Sequence, residues 1–468
     1  MKKALPLLAT LLIVFTGCGG AGVENNSEPY IPYQAVVEES PPNLIAEPQL
    51  PTPPPGPIPL NRAAQFFGEI DSLFDEDSGE LWGFYLHVPI IFVDPETCIA
   101  VANRPDFDGV LERQGDVYVS LFPEKLQVFD AVVTFDYFGG KLWVIVPWPS
   151  IQHRDIEGRL FKLTHKAMHW HQHAFLDDFH VGGNSHMNEL DARISIRIEV
   201  NALIHAFSAT DEEERFSAIA DALSIRAWRR QIFGAETSEN RLEIIEGLAL
   251  YTEWALNMSD RNNLIGIANS FAEGMVSGLN LENSFGYLSG ALYAFLLNEL
   301  DITWKDGLNG DSNLGQMLKE AMGITELRDI NEIVLNFYGY EQIGREEREW
   351  VEFQNYTLNR VIESIQSHPT MQFHWDDYEH HGVAFNGSRF SFADLGTVFR
   401  GNVEFFGSFG RLYVRNSELI FHNDGFIMVV AEDMEIEDNL VTARHWTLEL
   451  NDGYEAIVYY DNFRVVKR

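Results

Sequence analysis

The chain has 468 residues, 46% hydrophobic and 13% aromatic, which excludes a disordered protein and gives material for two or three domains. Seventy acidic residues against 33 basic ones give a formal charge of −37, and no basic patch interrupts it, so nucleic-acid binding through phosphate neutralisation is excluded. Two cysteines, Cys18 and Cys98, do not make a disulfide framework, and stability must come from packing.

Lys2 and Lys3 precede an apolar run, Ala4 to Phe15, of 12 residues, too short to span a bilayer as a helix. The run closes with Phe15-Thr16-Gly17-Cys18, and the whole of residues 1–17 with the cysteine resembles a bacterial lipoprotein signal. That resemblance implies cleavage before Cys18, acylation of its thiol, and an extracytoplasmic protein held by lipid at the cell membrane or outer membrane. Each buried CH₂ of an acyl chain contributes about 0.8 kcal/mol, so two or three chains anchor firmly where one would not. Residues 18–60 follow with 11 of the 19 prolines, a composition that favours extended polyproline II and reads as a stalk.

Residues 61–150 are expected to be rich in strands. WGFYLHVPIIFV, DVYVSLF, VFDAVVTF and KLWVIVPW are β-branched and aromatic runs separated by Gly, Asp and Pro, as in an antiparallel sheet. Cys98 falls in this region and is expected to be a buried free thiol. Residues 151–366 change to helical spacing, with amphipathic stretches at Ile194 to Phe207, Phe216 to Phe233, Leu242 to Leu256 and Tyr287 to Leu300. The uncharged run from Asn283 to Asn298 is short for a bilayer and reads as a buried helix. The charge runs Asp211 to Arg215 and Arg345 to Glu349 read as solvated helix surface. Residues 367–468 return to short strands, with Asn-Asp-Gly turns at Asn423 to Gly425 and Asn451 to Gly453, as in a small β-sandwich or barrel. The fold class is therefore α+β: a mainly helical domain between a β-rich region and a small all-β domain.

The main chemical signal is histidine. Six of the 15 fall between His165 and His186. His165 and His169 are four apart, so on a helix both imidazoles leave one face about one turn apart, as ligation of zinc at about 2.0–2.1 Å requires. His169 and His173 repeat the spacing. His165 and His173 would be about 12 Å apart along the axis, so one metal cannot take all three.

A second segment selects among them. Glu243-Ile244-Ile245-Glu246-Gly247-Leu248-Ala249-Leu250-Tyr251 resembles the glutamate helix of gluzincin zinc peptidases, and His165-Lys166-Ala167-Met168-His169 then resembles their histidine pair. The likeness implies His165, His169 and Glu246 as metal ligands, with zinc as the cofactor. Gly247 and Ala249 would let another helix pack closely beside Glu246. Glu199 is a rival third ligand.

Lys166 departs from that pattern. It stands where the peptidases carry the glutamate that takes a proton from water, and an ammonium has no lone pair to accept one. A monocation about 5 Å from a dication also costs about 7 kcal/mol at an effective dielectric near 20, before other charges offset it. Glu243 and Glu199 are the carboxylates that could serve as base instead. Two functions follow: a degenerate zinc-peptidase-like scaffold that binds a peptide or protein partner, or an active zinc hydrolase with a non-standard base.

Overall fold

The computed structural model describes residues 58–95, 97–122, 134–176, 183–275, 281–300, 303–329, 337–378, 381–392 and 395–468; the signal segment, Cys18 and nearly all of the stalk lie outside them. The fold is α+β. Of the described residues, one compact unit takes 58–176 with Thr252–Asp260, and the other takes 183–251 with 261–468.

The first unit opens with a helix, α1 (Leu60–Asp77), in a stretch expected to be strand-rich. Its cause is legible in retrospect: Ala63, Phe66, Phe67, Ile70 and Phe74 recur at helical spacing, and all are buried. Phe67 stacks on Phe92 at 4.4 Å between ring centroids, which fixes α1 on the sheet. The sheet comprises β1 (Ile90–Val93), β2 (Ile99–Ala102), β3 (Glu112–Gln114), β4 (Val117–Leu121), β5 (Thr134–Phe138) and β6 (Lys141–Pro147), in the order β3-β4-β2-β1-β6-β5. It is mixed rather than antiparallel, because β1 pairs β6 in parallel, Ile91 opposite Ile145. The central β1 is buried along its whole length, as expected of a strand covered on both faces. Trp82 to Pro89, expected to extend that strand, lies outside the ladder. Cys98 is half-exposed at φ +57°, not buried. The unit continues with α2 (Ile156–Gln172), started by Asp155, whose carboxylate accepts the Gly158 N–H at 2.8 Å. A bidentate pair from Arg159 to Glu69, at 2.8 and 2.7 Å, ties α2 to α1.

The second unit is built on α3 (Leu190–Ser208) and α4 (Glu212–Phe233), followed by α5 (Glu236–Leu242), a π turn (Glu243–Gly247) and α6 (Leu248–Asn257) in one uninterrupted helical run, of which the part from Thr252 onward belongs to the first unit. Then come α7 (Arg261–Gly274), α8 (Leu281–Asn298), α9 (Leu314–Ala321) and the long α10 (Tyr340–Ser367). α8 is the uncharged run expected to be buried, and nearly every side chain in it is. Among the described residues no helix is long and apolar enough to cross a membrane. The acidic run on α10 is not simply solvated: Glu347 is buried, accepting from Arg193 at 2.5 Å and Arg197 at 2.7 Å, both on α3.

Ten strands complete this unit: β7 (Thr370–His374), β8 (His381–Phe392), β9 (Gly396–Gly407), β10 (Gly410–His422), β11 (Phe426–Val430), β12 (Glu435–Glu437), β13 (Leu440–Ala443), β14 (Trp446–Leu450), β15 (Tyr454–Tyr459) and β16 (Asn462–Lys467). β10 pairs β9 along most of its length, and a bulge between Val414 and Ser417 splits its other edge between β14 and β11. One core collects Phe373, Phe405, Phe409, Leu412 and Trp446. A second packs Phe390, Val398, Ile420 and Met428 against Phe353, Leu358 and Val361 of α10. Gly425 supplies the positive φ of the β10–β11 turn; Gly453 does so between β14 and β15, which do not pair with each other.

Candidate metal centre

Helical spacing on α2 does what a metal pair needs. The His165 and His169 rings lie 4.7 Å apart, and both are buried. Each has a buried polar neighbour beside Nδ1. His169 Nδ1 is 2.7 Å from Gln172 Oε1, an oxygen that only accepts, so the proton sits on Nδ1 and Nε2 keeps its lone pair. His165 Nδ1 is 3.0 Å from Glu253 Oε2. Such outer carboxylates and amides orient histidines that bind metals. Glu253 is fully buried; burial raises its pKa, while His165, Lys166 and His169 pull it down. α6 runs on beside α2, with Asn257 Nδ2 donating to Thr164 Oγ1 at 3.3 Å.

Glu246 belongs to the same helical run as Glu253, seven residues earlier, in the π turn. Widened turns of this kind often mark functional positions. The turn is pressed against α8 by the absence of side chains: a Cβ on Gly247 would stand 2.6 Å from Gly290 Cα and 2.7 Å from Gly286 O. The close packing expected of Gly247 is thus present. The structure brings His165, His169 and Glu246 together, one ligand atom from each lying within 4.8 Å of the others, all buried. This group could hold a metal ion, and among the described residues it is the one cluster of its kind.

Two imidazole nitrogens and a carboxylate oxygen fit a borderline divalent ion such as zinc. Ligand atoms on one tetrahedral ion sit about 3.3–3.6 Å apart, so side-chain adjustments of roughly 1 Å would close the group. Glu246 and Glu253 are fully buried and Lys166 is 4% exposed, so the group lies in the protein interior.

The other carboxylates singled out in the sequence are engaged elsewhere. Glu243 is held by Arg226 through both oxygens, one at 2.6 Å, and by Ser289 Oγ at 2.8 Å. Glu199 accepts from Arg229 at 2.6 Å, Arg226 at 3.2 Å and Tyr293 Oη at 2.8 Å. Glu239 completes this buried network with a bidentate pair to Arg229, a bond from Arg230, and His186 Nε2 at 2.9 Å. Burial alone would raise the Glu239 pKa, but Arg229, His186 and Arg230 hold it well below the usual carboxylate range. Three guanidiniums balance three carboxylates there. On α2, His171 lies against Phe84, and burial pushes its pKa down to about 4.

Sequence reading missed Gln172, Glu253 and the arginine trio. Gln172 is three residues after His169, and Glu253 two turns after Glu246, so helical spacing held a signal for both. A scan against protein-family models returned no match, and searches of curated proteins and of solved structures returned none either.

Proposed function

We propose that this chain is a membrane-tethered, zinc-binding protein whose gluzincin-like centre has lost peptide hydrolysis and serves to bind a peptide or protein partner. The observation that carries the reading is the buried grouping of His165, His169 and Glu246, with a lysine at the position where hydrolysis needs a proton acceptor. A zinc ion held there supplies Lewis acidity. The chain's own residues supply orientation: Gln172 and Glu253 stand beside the Nδ1 atoms of the two imidazoles, so that Nε2 would be the ligating atom of each. Lys166 donates and does not accept, and the oxygens of Glu243 and Glu199 are already engaged by guanidinium groups. The competing reading, an active hydrolase with a substitute base, therefore loses both of its substitutes.

Tethering rests on the N-terminal sequence alone, with acylated Cys18 as the anchor and the proline-rich segment as spacer. The test of the centre is metal content. Elemental analysis of the purified full-length protein should give about one equivalent of zinc, lost in His165→Ala and Glu246→Gln variants that keep the wild-type circular dichroism. Wild-type protein without stoichiometric metal, even after incubation with excess zinc, would refute it.

A further inference from the structure

We propose that a cavity lined by α4 and α9 binds a phosphate group, free or carried on a small molecule, independently of the metal centre. It measures about 300 Å³, at the lower end of the range for small-molecule sites, and every residue that lines it belongs to the second unit.

Spacing on α4 builds its floor. Arg226 and Arg230 are four apart, so both leave one face of the helix, and both line the cavity although each is more than nine-tenths buried. Their carboxylate partners do not use up their donors. Arg226 turns its two terminal nitrogens to Glu243, Glu199 and Asn240, which leaves Nε–H with no hydrogen-bond partner. Arg230 gives its Nε–H to Glu239 and keeps Nη2 without a hydrogen bond, 3.6 Å from Glu243 Oε2. A buried donor left unbonded is costly, and an acceptor in the cavity removes that cost.

The charges point to an anion. For Arg226 burial works against the charge, but Glu243 outweighs it and the pKa is raised. For Arg230 burial and the neighbouring Arg226 charge outweigh Glu243 and Glu239, and the pKa is lowered. The Arg230 charge is thus the one that the chain itself leaves under-compensated. Lys319, half-buried on the second turn of α9, also lines the cavity and has no ion-pair partner among the described residues. The unbonded Arg226 Nε and Arg230 Nη2 belong to different guanidiniums one helical turn apart, so neither offers the flat two-pronged fork that suits a carboxylate. A tetrahedral phosphate can take separate donors on separate oxygens.

The start of α9 adds backbone to the same place. A Cβ on Gly315 would stand 2.7 Å from Arg226 Nε, so glycine is what lets the helix begin this close, with its positive end beside the unbonded donor. Glu236 is the one carboxylate among the lining residues. It is exposed, and its Oε1 accepts from Asn313 Nδ2 at 2.9 Å, so solvent screening limits its repulsion of an anion. Leu223, Ala227 and Leu327 give the cavity an apolar wall suited to the organic part of a phosphate ester.

Calorimetric titration of the full-length protein tests the site, with inorganic phosphate and glycerol 3-phosphate as ligands and acetate and perchlorate as controls. Phosphate, its ester or both should bind saturably, and the tighter of the two tells which form the cavity takes. Acetate and perchlorate should give no saturable signal. Lys319→Met should weaken phosphate binding about tenfold and Arg230→Met at least as much, while Glu236→Gln should strengthen it. His165→Ala should leave it unchanged, which separates this cavity from the metal centre. Should Arg230→Met fail to fold, the Lys319→Met and Glu236→Gln proteins, altered at less buried positions, decide the matter. Wild-type protein that binds neither phosphate, acetate bound as tightly as phosphate, or a Lys319→Met protein of unchanged affinity overturns the proposal and leaves the metal reading standing. Loss of phosphate binding in His165→Ala also overturns it, by moving the phosphate to the metal centre.

Discussion

Adding a single methyl group to Gly247 tests the packing that carries Glu246. A Cβ there would meet Gly290 Cα at 2.6 Å, Gly286 O at 2.7 Å and Gly290 C at 3.0 Å. Carbon atoms in ordinary contact are about 3.5–4.0 Å apart, so α8 and the π turn must separate by roughly 1 Å. All three atoms are backbone, and no side chain can rotate away to relieve them. Alanine favours a helix over glycine by about 1 kcal/mol, which works in the variant's favour. Overpacking a well-filled interface costs about 1–3 kcal/mol, and here the strain falls on two helices at once, so the clash wins. Gly247→Ala should destabilise the chain by about 1–2 kcal/mol and weaken zinc binding. Gly266, in α7, has nothing within 4 Å of its would-be Cβ, so Gly266→Ala should show only the propensity gain and stabilise. Thermal and urea unfolding of the two variants beside wild type, with zinc titration, measures both signs. A Gly247→Ala protein as stable as wild type would refute the close-packing argument, and unchanged zinc affinity would separate this interface from the centre.

Gln172→Leu removes the acceptor from His169 Nδ1 and should lower zinc affinity by about 10–100-fold in a chelator competition titration, without large loss of stability. Arg229→Met leaves Glu199 and Glu239 buried with less compensation and should cost about 3–5 kcal/mol in denaturant unfolding. The same network predicts a pH dependence. Glu239 is held well below its ordinary value of 4.5, so its stabilisation is complete above about pH 4.5 and is lost as pH falls from there through the lowered folded value; unfolding at a series of acid pH values should show this loss, reduced in Arg229→Met. Cys18→Ser should abolish metabolic labelling with fatty acid, and an unmodified mature N-terminus elsewhere in mass spectra would defeat the lipid anchor.

What could be read from the sequence was whatever repeats locally. α3, α4 and α8 follow from apolar spacing, and the histidine pair and Gly247 from positions a few residues apart. Residues 82–89 were misread because their aromatic and β-branched side chains satisfy the same pattern as a strand, yet here they serve other contacts: Trp82 Nε1 donates to Thr252 Oγ1 at 3.0 Å, and Phe84 covers His171. The arginine network was invisible for a different reason. Arg226, Arg229 and Arg230 look like a polar helix face, and only the tertiary meeting with Glu199, Glu239 and Glu243 makes that face an interior. Glu347 was misjudged likewise, because its neighbours in sequence are charged while its partners are about 150 residues away. The engagement of Glu199 and Glu243 with arginine, which bears most on catalysis, belongs to this non-local class.

The parallel ladder between β7 and β16 sets the order of assembly in the C-terminal strands. Met371 pairs with Phe463, and Thr370 N–H and Oγ1 both donate to Asn462 Oδ1 across 92 residues. The first strand of the region thus waits for one of its last, while the β8–β9 and β9–β10 hairpins are free to close early from neighbouring sequence. Contacts of such long separation slow folding, because the loop entropy is lost before the contact rewards it. During synthesis, β7 and the cluster around Phe373 have one flank uncovered until residue 463 has emerged. That interval is when this chain is most open to aggregation, and when a holding chaperone would act on it.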